Sequence, residues 1–214
     1  MELTRISGVI LSAGDSSRME GRPKALLAKG NSTFLETILS NFNAAGIIDV
    51  VVVLGRHSEL IRSKIDLPDD KVIINSNPKA GQISSINLAL ERLSSASGAG
   101  GKEAGACYHA RAAMIALVDM PYVKRATIEH LASVWRHNAQ KIVIPRFNGK
   151  AGHPVILPSG LWPQCGDVPE GMGLNWVMRQ NNENVEFVEV NDRGIVIDID
   201  TKGDVERINS NEQG

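Results

Sequence analysis

Residues Val9 to Lys24, VILSAGDSSRMEGRPK, set a short β-branched run directly before Ser12-Ala13-Gly14 and follow it with hydroxyl residues and with cations that include Arg18 and Lys24. A glycine at a strand end lets the chain turn and aim successive amide N–H groups into a concavity that accepts an anion, with positive φ at Gly14 as the expected device. Arg18 can fork onto two phosphate oxygens, and Lys24 adds a compact point charge. The pair suits a polyphosphate better than a carboxylate. The same residues also fit a plain strand-to-helix connection with two solvated cations. No GxxxxGKS/T and no GxGxxG follows the first strand, so neither a P-loop nor a dinucleotide fingerprint is supported.

Acidic residues supply the second kind of chemistry. Asp119 comes directly after the apolar run Ala116-Leu117-Val118, followed by Met120-Pro121. Ligands of open α/β sheets sit beyond the carboxyl ends of the strands, so Asp119 is expected in the same crevice as Gly14. A carboxylate facing a triphosphate repels it unless a cation intervenes. Mg²⁺ fits, since it binds through one or two carboxylates and takes its other ligands from phosphate and water. As plain structure, Asp119 could instead cap a following helix. Asp198 and Asp200 flank Ile199 and share a face if the segment is a strand; Asp200, nearer its end, is the preferred second metal ligand. Asn75, Gly81, Gln82, Ser84 and Ser85 follow the third apolar run and offer neutral hydrogen-bonding groups suited to a base or ribose. They also fit a simple helix start. His153, between Gly152 and Pro154, is a candidate acceptor contact, as is Asp198.

These residues need a scaffold, and the chain of 214 residues can bury a sizeable core as one domain. With 43% hydrophobic residues, 22% charged residues and a formal net charge of −1, it lacks the basic excess of a general nucleic-acid or membrane-surface binder. No signal-like h-region and no spanning apolar run is present, which predicts a cytoplasmic protein. Cys107 and Cys165 are isolated and predict plain thiols rather than a disulfide or zinc site.

Apolar runs at Ile6–Leu11, Ile48–Leu54, Val72–Ile74, Met114–Val118 and Lys141–Pro145 are continuous rather than alternating, with amphipathic segments between them. That pattern predicts an α/β fold with a mostly parallel sheet covered by helices on both faces. Thr33 and Glu36 form a capping-box pattern opening a helix towards Gly46, and Ser58 could cap a short second one. Further helices are expected over 82–93 and from Lys124, with Ile128, Leu131 and Trp135 on its apolar side. The Gly-, Ala- and Ser-rich stretch 94–105 reads as a surface insertion. Beyond Pro145 the pattern loosens into a Gly- and Pro-rich stretch from Asn148 to Gly173 that encloses a short apolar run at Val155–Leu157, then strands at Val185–Val190 and Ile195–Ile199 and a helix from Thr201. A nucleotide-binding core over 1–147 with a small acceptor-side lobe over 148–214 is the expected organisation.

Four separated patterns together resemble the MobA-like nucleotidyltransferases, in particular the molybdenum cofactor cytidylyltransferase branch. The family's LAAGxSxRMGxxK is similar to Leu11 through Met19 with Gly21 and Lys24, its DMP to Asp119-Met120-Pro121, its GHP to Gly152-His153-Pro154, and its DIDTPED to Asp198 through Asp204. The resemblance implies a Rossmann-like nucleotidyltransferase fold. It implies that Leu11, Ser12, Ala13, Gly14 and Ser16, with Arg18 and Lys24, bind a nucleoside triphosphate, that Asp119 and Asp200 hold Mg²⁺, and that residues 81–85 lie near the base. Guanylyl-transferring relatives carry LAGG at the strand end and cytidylyl-transferring ones LAAG, so Ala13 implies CTP, with a phosphorylated acceptor such as molybdopterin. Glu20 is an extra residue ahead of Lys24, and Lys202-Gly203 replaces the family's Pro-Glu. Guanylyl transfer, transfer to a sugar or polyol phosphate, and a non-catalytic nucleotide-binding regulator are the competing readings. The oligomeric state is left open.

Overall fold

A computed structural model describes residues 6–15, 21–95, 110–201 and 203–204. The chain opens with β1 (Ile6–Ser12) and a two-residue hairpin, β2 (Ala28–Lys29) and β3 (Ser32–Thr33), that leads into α1 (Phe34–Ala44). Then come β4 (Val50–Leu54), α2 (Ser58–Arg62), β5 (Val72–Ile74), α3 (Gln82–Ser95), β6 (Ala112–Leu117), α4 (Arg125–His137) and β7 (Ile142–Phe147). The last part holds β8 (Lys150–Ala151), β9 (Val155–Pro158), α5 (Trp162–Gly166), α6 (Leu174–Gln180) and β10 (Val185–Glu189).

The main sheet runs β10-β7-β9-β6-β1-β4-β5, with β8 paired to β7. Parallel pairing joins β1 to β4 and β6, β4 to β5, and β7 to β10; β9 is antiparallel to both β6 and β7. β1 and β4 are buried along their whole length, as strands covered on both faces must be. Successive side chains enter opposite layers. Ile6, Ile10, Val52 and Met114 face α1 and α4 through Leu35, Phe42, Leu131 and Trp135. Val9, Leu11, Val53 and Ile115 face α3, α5 and α6 through Ile86, Leu90, Trp162 and Val177. The mostly parallel sheet with helices on both faces is therefore present. β9 and β10, which follow residue 148, extend this sheet.

Helix boundaries follow local chemistry. The Thr33 hydroxyl accepts from the Glu36 amide at 3.2 Å while the Glu36 carboxylate accepts from the Thr33 amide at 2.8 Å, closing the expected capping box. Ser58 is the first residue of α2 and not its cap, which is His57. α4 has Lys124 at its N-cap, whose side chain makes no capping bond; buried Asp192 reaches in from far along the chain, its Oδ2 accepting from the Lys124 amide at 2.8 Å and the Thr127 hydroxyl at 2.6 Å.

That use of Asp192 overturns the strand expected over Ile195–Ile199. A 3₁₀ turn occupies Arg193–Val196, closed by the Asp192 side chain on the Gly194 amide at 2.9 Å. Turn chemistry overrides the β-branched run. α5 and α6 arise in and beside the stretch expected to be irregular, anchored by Trp162, Cys165, Leu174 and Val177. Most of the 94–105 insertion, Cys107 and most of the helix expected from Thr201 lie outside the described residues. Burial pushes the Cys165 thiol up to about 11. Among the described residues no helix is long and apolar enough to cross a membrane.

Candidate active site

Strand order reverses at β1, whose neighbours are β4 on one side and β6 on the other. A crevice opens beyond the carboxyl ends of strands at such a point. It is a cleft of about 360 Å³, lined by Leu11, Ser12, Ala13 and Gly14 after β1, by Asp119 after β6, by Gly81, Gln82 and Ser85 at the start of α3, and by Lys24 and Asp200. Residues far apart in sequence thus share one wall. The Val118 amide donates to the Leu11 carbonyl at 3.1 Å, carrying the β1–β6 register past the strand ends, and the Ile199 amide donates to the Asp119 carbonyl at 2.9 Å. The second bond delivers Asp200 to the cleft without a strand. Asp204 holds that corner, its Oδ2 accepting from the Thr201 amide at 2.8 Å and the Asp200 amide at 3.2 Å.

Lys24 stands between the two carboxylates. Its Nζ lies 3.0 Å from Asp119 Oδ2 and 2.6 Å from Asp200 Oδ1, with only 15% of the side chain exposed. Burial acts against the lysine charge, but the hydrogen bond to Asp200 and the charge of Asp119 outweigh it, and the pKa rises above the ordinary lysine value. The sequence placed Lys24 on phosphate; here it bridges the acids. Asp119 Oδ1 is buried and has no hydrogen-bond partner among the described residues.

Gly14 does not take positive φ. The crowding lies next door, at Gly55 after β4, where an added Cβ would come 2.6 Å from the Ala13 carbonyl oxygen. Gly55 lets the exit of the first strand pass close by. A Cβ on Gly14 would meet nothing within 4 Å among the described residues and would project into open space. Gly81 does take positive φ, at 87°.

Other expected residues sit differently. Asn75 is 3% exposed and spends its amide on the Ser84 and Ser85 hydroxyls at 2.9 and 2.8 Å, tying the end of β5 to α3. Neither Asn75 nor Ser84 lines the cleft. Asp198 is exposed and stands off the cleft wall. Ser16 and Arg18 lie outside the described residues.

His153 is part-buried beside the cleft, its Nδ1 3.3 Å from the Ile115 carbonyl. Its backbone amide donates to the Ile195 carbonyl at 3.0 Å, a packing so close that a Cβ on Gly152 would overlap that oxygen. Burial lowers the His153 pKa below the ordinary value, and neither the Ile115 hydrogen bond nor the Asp119 charge reverses this. His153 also borders an open groove of about 570 Å³ with Asn175, Arg179 and Phe187.

Sequence reasoning missed Arg56 and His57. His57 lines the cleft, and Arg56 donates to the Asp15 carbonyl at 2.6 Å and to His57 Nε2 at 3.0 Å. The signal was their position directly after a buried strand whose end lies at the same sheet edge. Among the described residues no group of three or more His, Cys, Asp or Glu side chains could hold a metal. Two carboxylates beside a cleft of about 360 Å³ suit Mg²⁺ or Mn²⁺ in company with a phosphate ligand, and the unpartnered Asp119 oxygen leaves acceptor capacity for a cation.

A mostly parallel sheet with a small-residue loop, a helix start and two acids at its switch point defines an α/β nucleotide-handling enzyme. The chain belongs to the MobA-like NTP transferase domain family, which matches residues 8–185. It is 25% identical over 208 residues to nicotine blue oxidoreductase of Paenarthrobacter nicotinovorans, covering 94% of each chain. It is 26% identical over 186 residues to molybdenum cofactor guanylyltransferase of Mesorhizobium japonicum, covering 86% of this chain and 78% of that one. With molybdenum cofactor cytidylyltransferase of Escherichia coli K12 it shares 23% identity over 202 residues and 94% of each chain. Rv0371c from Mycobacterium tuberculosis H37Rv superposes with a TM-score of 0.79 at 25% identity, covering 97% of this chain and 98% of that one. The manganese complex of Rv0371c gives a TM-score of 0.73 at 24% identity, over 96% and 98% of the two chains. By family and fold the protein is a nucleotidyltransferase.

Proposed function

We propose that the protein transfers a nucleoside monophosphate, CMP from CTP, to a phosphorylated acceptor, molybdopterin or a molybdenum cofactor, with Mg²⁺ as the metal and pyrophosphate as the leaving group. The observation that carries this reading is the convergence of Asp119 and Asp200 on one face of the cleft that the Gly14 loop lines. Ala13 in the LSAG run favours cytidylyl over guanylyl transfer, and the likeness to both molybdenum cofactor transferases favours the acceptor.

In the reaction, an acceptor phosphate oxygen attacks the α-phosphorus; the new P–O bond forms as the α–β bridging P–O bond breaks and its electron pair leaves with pyrophosphate. A phosphate monoester has a second pKa of about 6, so the nucleophile is largely ionised near neutrality and needs no strong base. This matches a cleft whose histidine, His57, accepts a hydrogen bond from Arg56 rather than sitting in a Ser/His/Asp relay. Asp119 and Asp200 would hold the metal, which when bound neutralises phosphate charge. Gln82 and Ser85 offer hydrogen bonds to base or ribose, and Lys24 with Arg18 offsets charge on the departing pyrophosphate. The acceptor lies on the His153 side, where the open groove begins.

Pyrophosphate release is the deciding measurement, with the four common triphosphates and Mg²⁺ screened against molybdopterin and several sugar and polyol phosphates. Release with CTP and molybdopterin supports the proposal, whereas release only with GTP or a sugar phosphate replaces its finer part. The likeness to nicotine blue oxidoreductase gives the opposing outcome a concrete form: redox turnover with no pyrophosphate from any pair overturns the reading. Asp119→Asn is expected to lower turnover by about 10²–10³-fold while circular dichroism stays that of the wild type. Wild-type pyrophosphate release in this variant removes the metal assignment.

A further inference from the structure

The two acids of the cleft already share a cation, and that cation belongs to the chain. Lys24 Nζ contacts one oxygen of each carboxylate, at 3.0 and 2.6 Å, in a setting where the lysine side chain is 15% exposed. A divalent ion on these carboxylates would sit about 2.0–2.1 Å from its oxygens, too near the ammonium for both cations to share the same two oxygens. Lysine can give way, because its charge rides on a flexible four-carbon stem. Its backbone cannot follow: Lys24 opens a 3₁₀ turn after Pro23, and the next residue, Ala25, is fully buried.

We propose that Lys24 is a resident counter-ion that keeps Asp119 and Asp200 together in the ligand-free protein and releases them only when metal and triphosphate arrive together. This rests on the reading of Asp119 and Asp200 as metal-holding residues. Without nucleotide, a divalent cation that uses Asp119 Oδ2 and Asp200 Oδ1 competes with the lysine for those oxygens and meets its charge. A triphosphate offers the ammonium anionic oxygens and also supplies ligands to the metal. Binding of metal and of nucleotide is then mutually strengthening, and by linkage each raises the other's affinity by the same factor. Lys24 is thereby a positioning residue first and a phosphate contact second.

The test is Mn²⁺ binding, followed through the electron paramagnetic resonance signal of free Mn²⁺, for the wild type, Lys24→Met and Lys24→Gln, with and without CTP. Expected without nucleotide is at least tenfold tighter Mn²⁺ binding by both variants, together with a lower melting temperature that Mn²⁺ raises more than it does in the wild type. CTP should strengthen Mn²⁺ binding at least tenfold in the wild type and much less in the variants. Unchanged or weaker Mn²⁺ binding by folded Lys24→Met and Lys24→Gln without nucleotide overturns the proposal. Failure of the underlying reading looks different: Asp119→Asn and Asp200→Asn would then bind Mn²⁺ as the wild type does, whatever residue 24 is.

Discussion

Gly14 and Gly55 follow neighbouring strands at the carboxyl end of the sheet, and an added methyl group separates their roles. At Gly55 it would press on the Ala13 backbone at 2.6 Å, an atom that cannot swing aside. Gly55→Ala is therefore expected to destabilise the fold by about 1–3 kcal/mol, read as a lower urea midpoint. At Gly14 the methyl group meets nothing within 4 Å among the described residues, so Gly14→Ala should stay within about 0.5 kcal/mol of wild-type stability. Nucleotide affinity should nevertheless fall in Gly14→Ala, because the cleft loses ligand space. A wild-type midpoint for Gly55→Ala, or undiminished CTP binding by Gly14→Ala in calorimetry, contradicts this division. Gly14 was legible in the sequence because it sits in a recognisable run of small residues. Gly55 was not, since its need comes from a backbone on another strand.

Contacts between elements decide what local pattern leaves open. The periodicity of β1, β4 and α3 comes from burial on faces fixed within each segment, so these elements could be read from residue order. Asp119 and Gly14 could be placed together for a related reason, since each follows a buried strand. The C-terminal segment resists such reading. Ile195 to Ile199 has strand propensity, yet Asp192 draws it into a turn by binding the Gly194 amide, and the same carboxylate caps α4 through Lys124 and Thr127. Asp192→Ala would leave the Thr127 hydroxyl and two backbone amides without their acceptor. A buried polar group left unsatisfied costs about 1–3 kcal/mol, so Asp192→Ala should lower the urea midpoint by more than Asp198→Ala, whose side chain is exposed. Equal midpoints for the two variants would show that Asp192 does not hold α4 to the C-terminal turn. Asp200 reaches the cleft along this same turn, so loss of Asp192 should also weaken metal binding.

At the scale of the whole molecule, stability and the site meet at His153. The ring lies against the Ile115 carbonyl at the carboxyl edge of β6, close enough to Asp119 to feel its charge, yet burial dominates and keeps its pKa below the ordinary 6.5. In the unfolded chain the imidazole titrates near that ordinary value. As pH falls below 6.5 the unfolded state takes up a proton that the native state refuses until its own lower pKa is reached. The native state therefore loses stability across that window and holds the full contribution only above it. For one group the slope is at most about 1.4 kcal/mol per pH unit. His153→Asn retains a hydrogen-bond donor at the Nδ1 position for the Ile115 carbonyl but cannot titrate, so the difference in unfolding free energy between pH 7.5 and pH 5.5 should shrink in this variant. An unchanged difference would mean that the imidazole is as readily protonated in the folded protein as in the unfolded chain. A reduced difference accompanied by undiminished pyrophosphate release at pH 7.5 would assign His153 to holding the Gly152-His153-Pro154 turn against β6. A loss of release at pH 7.5 with CTP affinity intact would place the ring against the acceptor.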